Sequence, residues 1–303
     1  MASDARALPA PDSVGAWLLA TRLPTLAAAA VPVAIGTAVA YRSGGAAWGP
    51  ALAALVGALL IQIGTNFAND AADHDRGADT ETRLGPTRAV QAGLLSAAQM
   101  RRGVVVAFAL ATLVGVYLTA VAGWPVIAIG VASLIAGWAY TNGPLPLAYN
   151  GLGDVFVIVF FGFVAVCGTV FVQLGAVPAL AAWLSLPVGL LATGILVVNN
   201  LRDRHTDAAA NKRTLAVRFG RGFCLFEYAL ILLIAHGVPL TLWLRGEGGP
   251  WMLLPLATIP FSLRIFVALV RRDGRALNPV LGATARLLIV WGALATIGLV
   301  LAA

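Results

Sequence analysis

Two acidic segments of the sequence contain the residue types and the spacing that chemistry on a charged substrate requires. The first, residues 66–81, holds five of the chain's thirteen carboxylates. If residues 61–73 are helical, Asn66, Asp70 and Asp73 lie on one face, because they are four and three residues apart. Two carboxylates about 5 Å apart repel by roughly 3 kcal/mol at an effective dielectric constant of about 20, and the C-terminal end of a helix adds negative potential. This arrangement predicts a bound cation.

The second acidic segment repeats the pattern further along the chain. Asn199 precedes Asp203 by four residues, and Asp207 follows four residues later. One such cluster can be a solvated cap after a membrane helix, but its duplication in a chain so poor in acids argues against that alternative. The candidate ligand atoms are nearly all carboxylate and amide oxygens, which favours Mg²⁺ over Zn²⁺. We therefore interpret His74 and His205 as facing solvent or as contacting the metal ligands without binding the metal themselves.

Basic residues near both segments suit the oxygens of a phosphate group. Arg88 follows the first segment, and Lys212, the only lysine of the chain, follows the second. Guanidinium and ammonium groups bind phosphate oxygens well, so both residues are candidate ligands of a diphosphate. Alternatively, the two basic residues could balance the charge of the acids or fix the membrane topology.

Membrane helices must position both segments. The chain has 303 residues, of which 60% are hydrophobic and 11% are charged, and its mean hydropathy is +0.88; about 25% of residues are charged in soluble proteins. A crossing takes about 20 apolar residues, so we predict an all-α membrane bundle of nine transmembrane helices in one domain, residues 1–303, with a polar cytoplasmic segment at residues 1–15. The predicted spans are residues 17–41, 47–68, 102–121, 124–141, 153–174, 178–201, 222–244, 251–270 and 283–302. Long, continuous apolar runs exclude a membrane β-barrel.

The distribution of basic residues predicts how the chain lies in the membrane. The net charge is +7, yet the basic residues concentrate in the N-terminus and in alternate loops, and the opposite side holds only Arg42 and Arg245. By the positive-inside rule, the N-terminus and both acidic segments face the cytoplasm. We expect a multi-pass protein of the cell (inner) membrane whose environment is the lipid bilayer, with no nucleic acid as partner.

Taken together, these features resemble the UbiA superfamily of intramembrane prenyltransferases. The run Asn69-Asp70-Ala-Ala-Asp73 is similar to the start of the family's first aspartate-rich motif, although the family's next aspartate is Gly77 here and Asp79 follows it. Residues 140–154 are similar to the branch that prenylates 1,4-dihydroxy-2-naphthoate in menaquinone biosynthesis. The resemblance covers the whole chain in the number of spans, the order of the motifs and their sidedness.

The resemblance implies a reaction and a set of residues for it. A polyprenyl group would pass from polyprenyl diphosphate to 1,4-dihydroxy-2-naphthoate, with release of CO2 and diphosphate, to give demethylmenaquinone. Mg²⁺ is the implied cofactor. The expected metal ligands are Asp70, Asp73, Asp79, Asp203 and Asp207, and all of them except Asp79 are also expected to be catalytic. The expected substrate-binding residues are Asn66, Asn69, Arg88, Asn199, Lys212, Arg22, Tyr140 and Asp154. Alternatively, Arg22 could extend to the lipid headgroups, and Asp154 could serve solely as the N-cap of a helix.

Two other functions stay open at the level of the sequence. A UbiA-like transferase with another acceptor, such as 4-hydroxybenzoate, heme or a chlorophyllide, would contain the same acidic segments. A divalent-cation transporter would also need carboxylates. Transporters, however, usually place ionisable groups and broken helices near the bilayer midplane, whereas these acids are predicted at helix ends on one side.

Overall fold

The computed structural model describes residues 8–76 and 84–303, and within those ranges the regular structure is helical, without strands. The α-helices are α1 (Val14–Thr21), α2 (Leu23–Arg42), α3 (Trp48–Asp75), α4 (Ala97–Ala122), α5 (Pro125–Ala139), α6 (Gly153–Val157), α7 (Ala165–Leu174), α8 (Ala179–Ala209), α9 (Leu215–Leu244), α10 (Ile259–Arg271) and α11 (Asn278–Leu301). A π-helix, Ile158–Val164, joins α6 to α7, and 3₁₀-helices occupy Leu147–Tyr149, Pro250–Thr258 and Gly274–Leu277. The predicted all-α class is confirmed.

Eight helical stretches of the described chain are long and apolar enough to cross a membrane. They are Leu23–Arg42, Trp48–Asp75, Ala97–Ala122, Gly153–Leu174, Ala179–Ala209, Leu215–Leu244, Pro250–Arg271 and Gly274–Leu301. The fourth predicted span corresponds to α5, which is apolar but shorter. The nine predicted spans therefore correspond to eight membrane-length stretches and one shorter helix, and the chain is a multi-pass membrane protein.

Several helix boundaries differ from those predicted. The first span, predicted as residues 17–41, is two helices, because Arg22 adopts a left-handed conformation with φ of 53° between α1 and α2. The second and sixth spans were expected to end at residues 68 and 201, whereas α3 and α8 continue to Asp75 and Ala209. Hydropathy detects only the apolar part of a helix, so it misses the polar turns that extend beyond the lipid. Residues 66–75 of the first acidic segment and all of the second are consequently the last turns of long helices.

Two hydrophobic cores hold these helix ends. Val197, Val198 and Leu201 of α8 are buried in the larger core, where α8 packs against α9, α11 and α2. Phe67 of α3 and Met100 of α4 belong to a smaller core beside α1. Helices in a membrane depend on close packing for their association, and these two cores fix α8 and α3 separately.

Candidate active site

Three polar residues of the first acidic segment lie on the buried face of the last turns of α3. The exposed fractions of Asn66, Asp70 and Asp73 are 3%, 1% and 5%. His74 and Asp75 are exposed on the other face. The three polar side chains therefore share one face, as their spacing predicts.

Asn66 connects α3 to the break between α1 and α2. Its Nδ2 donates to the carbonyl of Thr21 and to the hydroxyl of Thr25, each at 2.9 Å. Arg22 is half-buried at the break, and its carbonyl accepts hydrogen bonds from the N–H and the hydroxyl of Thr25, at 2.8 and 2.9 Å. Asn66 thus makes a helix-packing contact, and Arg22 lies at a junction of two helices.

Residues 84–95 fold back over the end of α3. Arg88 Nη2 lies 2.7 Å from Asp73 Oδ2, and the backbone N–H of Ala89 donates to Asp70 Oδ2 at 3.1 Å. Ala89 is fully buried in the smaller core, which holds Arg88 in place beside the acids. Hydrogen bonds to charged groups contribute about 1.5–3 kcal/mol each, so these contacts orient both carboxylates.

The remaining polar residues of this segment have different positions. Asn69 is half-buried, and its Oδ1 accepts a hydrogen bond from the Thr141 hydroxyl at 2.7 Å. Asp79, an expected metal ligand, lies outside the described residues. The structure therefore places Asn69 against the loop that follows α5.

Arg202 organises the second acidic segment. Its side chain is completely buried, and its guanidinium donates to the two Asp203 oxygens at 2.8 and 2.5 Å. It also donates to Asn199 Oδ1 at 2.8 Å and to Asn278 Oδ1, at the start of α11, at 3.0 Å. A buried charge is tolerated when it is paired and hydrogen-bonded in this way. Arg202 is not among the site residues predicted from the sequence; its position three residues after Asn199 is the signal that could have indicated it.

Asp207 lies one turn further along α8. Lys212 Nζ is 3.5 Å from its Oδ1, while its Oδ2 is buried and has no hydrogen-bond partner among the described residues. A buried acceptor without a partner costs free energy. This oxygen is therefore a suitable ligand atom for a cation.

Tyr149 joins the two acidic segments. Its hydroxyl donates to Asp73 Oδ1 at 2.9 Å, and Lys212 Nζ and Arg76 Cζ lie 5.4 and 4.8 Å from the centre of its ring. Burial and the neighbouring charge of Asp73 raise the pKa of Tyr149 above its ordinary value. The hydroxyl is thus protonated at neutral pH and can act as a donor. The spacing of residues in the sequence does not predict this connection, because Tyr149 is 76 residues from Asp73.

An apolar cavity of about 210 Å³ lies between α2, α3, α4, α5 and the stretch from α6 to α7. Its polar wall residues are Gln62, Thr65, Ser133, Tyr140 and Thr169. Burial, followed by the negative charges of Asp154, Asp73 and Asp207, raises the pKa of Tyr140. The inner end of the cavity, at Tyr140, lies next to the first acidic segment, because the neighbouring Thr141 donates a hydrogen bond to Asn69.

Asp154 is buried, with 5% exposure, in the first turn of α6. Leu152 occupies the N-cap position, and no side chain caps this helix end. The cap interpretation of Asp154 therefore does not hold. A Cβ atom on the preceding Gly153 would lie 3.2 Å from the Tyr140 hydroxyl, so the start of α6 lies beside this residue of the cavity wall.

The described ranges contain no group of three or more His, Cys, Asp or Glu side chains arranged to hold a metal ion. The donor chemistry nevertheless fits Mg²⁺, which binds proteins through one or two carboxylates plus substrate phosphates and keeps several waters. Asp207 provides a buried carboxylate oxygen without a partner, and Asp73 is close enough to interact with it electrostatically. The residues present therefore fit this ion.

The chain is similar in sequence to known prenyltransferases. Residues 29–281 match the UbiA prenyltransferase family. The chain is 38% identical over 288 residues to 1,4-dihydroxy-2-naphthoate octaprenyltransferase of Mycobacterium tuberculosis (strain ATCC 25618 / H37Rv), which covers 94% of this chain and 97% of that protein. It is 40% identical over 215 residues to the protein of the same name from Escherichia coli (strain K12), which covers 68% of each.

The fold is similar to that of two solved structures. The apo structure of a UbiA homolog from Aeropyrum pernix K1 has a TM-score of 0.69 at 16% identity, covering 89% of this chain and 96% of that one. A UbiA homolog from Archaeoglobus fulgidus bound to DMAPP and Mg²⁺ has a TM-score of 0.65 at 14% identity, covering 93% and 99%. The family match includes both acidic segments and the cavity, and the chain therefore belongs to the UbiA prenyltransferase family.

Proposed function

We propose that the chain transfers a polyprenyl group from polyprenyl diphosphate to 1,4-dihydroxy-2-naphthoate, with release of diphosphate and CO2, giving the naphthalenediol (quinol) form of demethylmenaquinone in menaquinone biosynthesis. One observation carries this proposal: two acidic helix ends are joined through Tyr149, and the first lies beside an apolar cavity whose wall residue Gln62 is hydrogen-bonded to Asn66. Such a site suits a substrate with a charged head and a hydrocarbon tail. The relatives that are similar over most of the chain support the naphthoate as acceptor.

The diphosphate is proposed to bind between the ends of α3 and α8. Mg²⁺ bound there would stabilise the negative charge of the leaving group. The proposed ligands of this ion are Asp70, Asp73, Asp79, Asp203 and Asp207. Arg88 and Lys212 each lie beside one of these carboxylates, from which they can also reach phosphate oxygens.

The prenyl tail is proposed to occupy the cavity. Its apolar walls exclude water, which protects a reacting allylic group from hydrolysis. The allylic C–O bond breaks and its electron pair leaves with the diphosphate. The naphthoate carbon that bears the carboxylate forms the new C–C bond, and the carboxylate departs as CO2.

The aromatic acceptor is proposed to contact Tyr140 and Asp154 at the inner end of the cavity. Because the pKa of Tyr140 is raised, its hydroxyl remains a hydrogen-bond donor for an oxygen of the acceptor. The other substrate contacts proposed from the sequence are Arg22, Asn66, Asn69 and Asn199. In the substrate-free structure, the side chains of Asn66, Asn69 and Asn199 are hydrogen-bonded within the protein, so binding would exchange some of these bonds.

We further propose one catalytic domain, residues 1–303, whose N-terminus and active site face the cytoplasm. The concentration of basic residues in the N-terminus and in the loops that contain both acidic segments supports this orientation. Substrates would thus approach from the inner leaflet of the cell membrane.

Acceptor specificity is the direct test. Purified protein in detergent is incubated with a labelled prenyl diphosphate and one acceptor at a time, with and without Mg²⁺. We expect a prenylated naphthalenediol and an equal amount of pyrophosphate, both only when Mg²⁺ is present. Turnover with 4-hydroxybenzoate but none with the naphthoate would overturn the proposed acceptor.

The metal role is tested by Asp207→Asn. We expect pyrophosphate release to fall by about 100-fold, a loss typical of removing a key electrostatic group, while the melting temperature is retained. Asp75→Asn is the matched control, since Asp75 is exposed and forms a surface ion pair with Arg101. Full activity of Asp207→Asn would refute the role of this carboxylate.

A further inference from the structure

The stretch that contains the π-helix presents one continuous face to the cavity. Cavity-lining residues recur there at every fourth position: Phe156, Phe160, Val164, Gly168 and Val172. A regular α-helix has 3.6 residues per turn, so each step of four residues overshoots a full turn by about 40°, and four such steps overshoot by about 160°. A regular helix would therefore turn the last of these residues away from the cavity.

The π-helix Ile158–Val164 offsets this rotation. Its i→i+5 hydrogen bonds place more residues in each turn than an α-helix has, so a step of four residues falls short of a full turn there. The rings of Phe156 and Phe160 stack, with centres 5.6 Å apart and planes 13° apart, as side chains on one face do. The π-helix thus keeps the whole stretch aligned with the cavity.

Contact with α8 fixes the π-helix from behind. A Cβ atom on Gly162 would lie 2.5 Å from the carbonyl oxygen of Ser185, and one on Gly189 would lie 2.7 Å from that of Ile158. Real Cβ atoms do not approach backbone atoms this closely, so the two backbones meet only because both residues are glycine. The wall of the cavity is consequently anchored to the helix that contains the second acidic segment.

Three buried side chains line the outer end of the cavity and form its floor. They are Leu118 of α4, Val126 of α5 and Val172 of α7, which form a separate hydrophobic cluster. One turn before this floor the wall is open at Gly168, where an added Cβ would have Ile129 Cγ2, 3.9 Å away, as its nearest neighbour among the described residues. Gly168 is twelve residues beyond Phe156, which is about 16–18 Å along the helix axis, because the residues of a π-helix rise less than the 1.5 Å of an α-helix.

We propose that Gly168, above the floor formed by Leu118, Val126 and Val172, determines the length of the prenyl tail that the enzyme accepts. This inference rests on the proposed function. A geranyl tail has eight main-chain carbons and reaches at most about 12 Å at about 1.5 Å per bond, so it ends before Gly168. A tail of four or more isoprene units must pass Gly168, and a larger side chain there would obstruct long tails alone.

The test compares tails of different length in one assay. Unmodified protein, Gly168→Leu and Gly168→Phe each receive geranyl, geranylgeranyl and octaprenyl diphosphate in competition for the naphthoate. In both variants we expect kcat/KM for the two long substrates to fall about tenfold or more relative to geranyl diphosphate, the size of effect that a steric mismatch in an apolar pocket produces. In both variants, the two long diphosphates should also raise the melting temperature less than geranyl diphosphate does.

Two further variants separate this effect from misfolding. Leu118→Ala enlarges the cavity at its floor and should shift the preference toward longer tails. Gly237→Leu adds the same side chain to α9, outside the cavity and with no described atom within 4 Å of the added Cβ, and should leave the preference unchanged. If Gly168→Leu and Leu118→Ala both transfer prenyl groups with an unaltered length preference, the role of Gly168 is overturned but the proposed function is not. Absence of transfer by the unmodified protein would overturn the proposed function and the inference together.

Discussion

The Tyr149 hydroxyl donates a hydrogen bond to Asp73 Oδ1 at 2.9 Å. The same tyrosine faces Lys212, which lies 3.5 Å from Asp207, and its carbonyl accepts the backbone N–H of Arg213 at 2.8 Å. The short 3₁₀-helix 147–149 therefore connects the end of α3 to the residues that follow α8. The separation of the two acidic segments depends on this turn.

Tyr149→Phe should weaken the site while preserving the fold. The change removes one hydrogen bond to a charged carboxylate, worth about 1.5–3 kcal/mol, but keeps the ring that Lys212 and Arg76 contact. We expect the Mg²⁺ concentration for half-maximal pyrophosphate release to rise about tenfold or more, with a small change in melting temperature. Tyr41→Phe, at the exposed end of α2, is the control. Identical Mg²⁺ dependence of the two variants would contradict this role of the hydroxyl.

Arg202→Lys should destabilise the protein. A lysine cannot replace the planar guanidinium that binds Asp203, Asn199 and Asn278 together, so buried acceptors would lose their donor. We expect a loss of about 3 kcal/mol in the free energy of unfolding, seen as a melting temperature lower by about 5 °C or more.

The matched control for Arg202→Lys is Arg271→Lys at the exposed end of α10, which should melt like the unmodified protein. Equal melting temperatures for both variants would show that the buried guanidinium network does not stabilise the fold.

Part of the site could be predicted from the sequence because helix periodicity is local. The spacing of Asn66, Asp70 and Asp73 was sufficient to place them on one buried face. Helix periodicity could not predict the hydrogen-bond partners of the site residues, since Tyr149 is 76 residues from Asp73 and Asn278 is 76 residues from Arg202. Contacts of this kind depend on how helices pack, which periodicity does not determine.

The roles of individual polar residues were equally hard to infer. An amide four residues before an aspartate suits a metal site, yet Asn66 is hydrogen-bonded to the α1–α2 break. Hydropathy located the apolar stretch 153–174 correctly but contains no signal for the π-helix within it. The cavity depends on that local change of helix type.

Asp273, between α10 and α11, should make stability depend on acid pH. Burial tends to raise the pKa of Asp273, but hydrogen bonds from Arg204 and from the N–H of Gly274, with the charge of Arg221, outweigh it and lower the pKa. A carboxylate with a lowered folded-state pKa adds stability above its unfolded pKa, near 4, and this stability is lost as the pH falls through the folded pKa. Asp273→Asn should therefore melt below the unmodified protein at pH 7, by a difference that becomes smaller at pH 3.

The expected difference at pH 7 is small. The Asp273 side chain is 49% exposed, so solvent screens its ion pairs, and we expect at most about 3 °C. Melting curves of both proteins at the two pH values provide the measurement. A difference of the same size at pH 3 would mean that the ion pairs of Asp273 are not its source.

Gly162→Ala tests whether the π-helix depends on its contact with α8. The added Cβ would lie 2.5 Å from the Ser185 carbonyl oxygen, and overpacking of a tight contact costs about 1–3 kcal/mol, so we expect a melting temperature lower by about 5 °C. Gly237→Ala makes the same change in α9, where no described atom lies within 4 Å of the added Cβ. Alanine favours a helix over glycine by about 1 kcal/mol, so this control should melt at the same temperature or higher. If Gly162→Ala also gained stability, helix propensity would outweigh packing at this position, and the backbone contact could not be what holds the cavity wall.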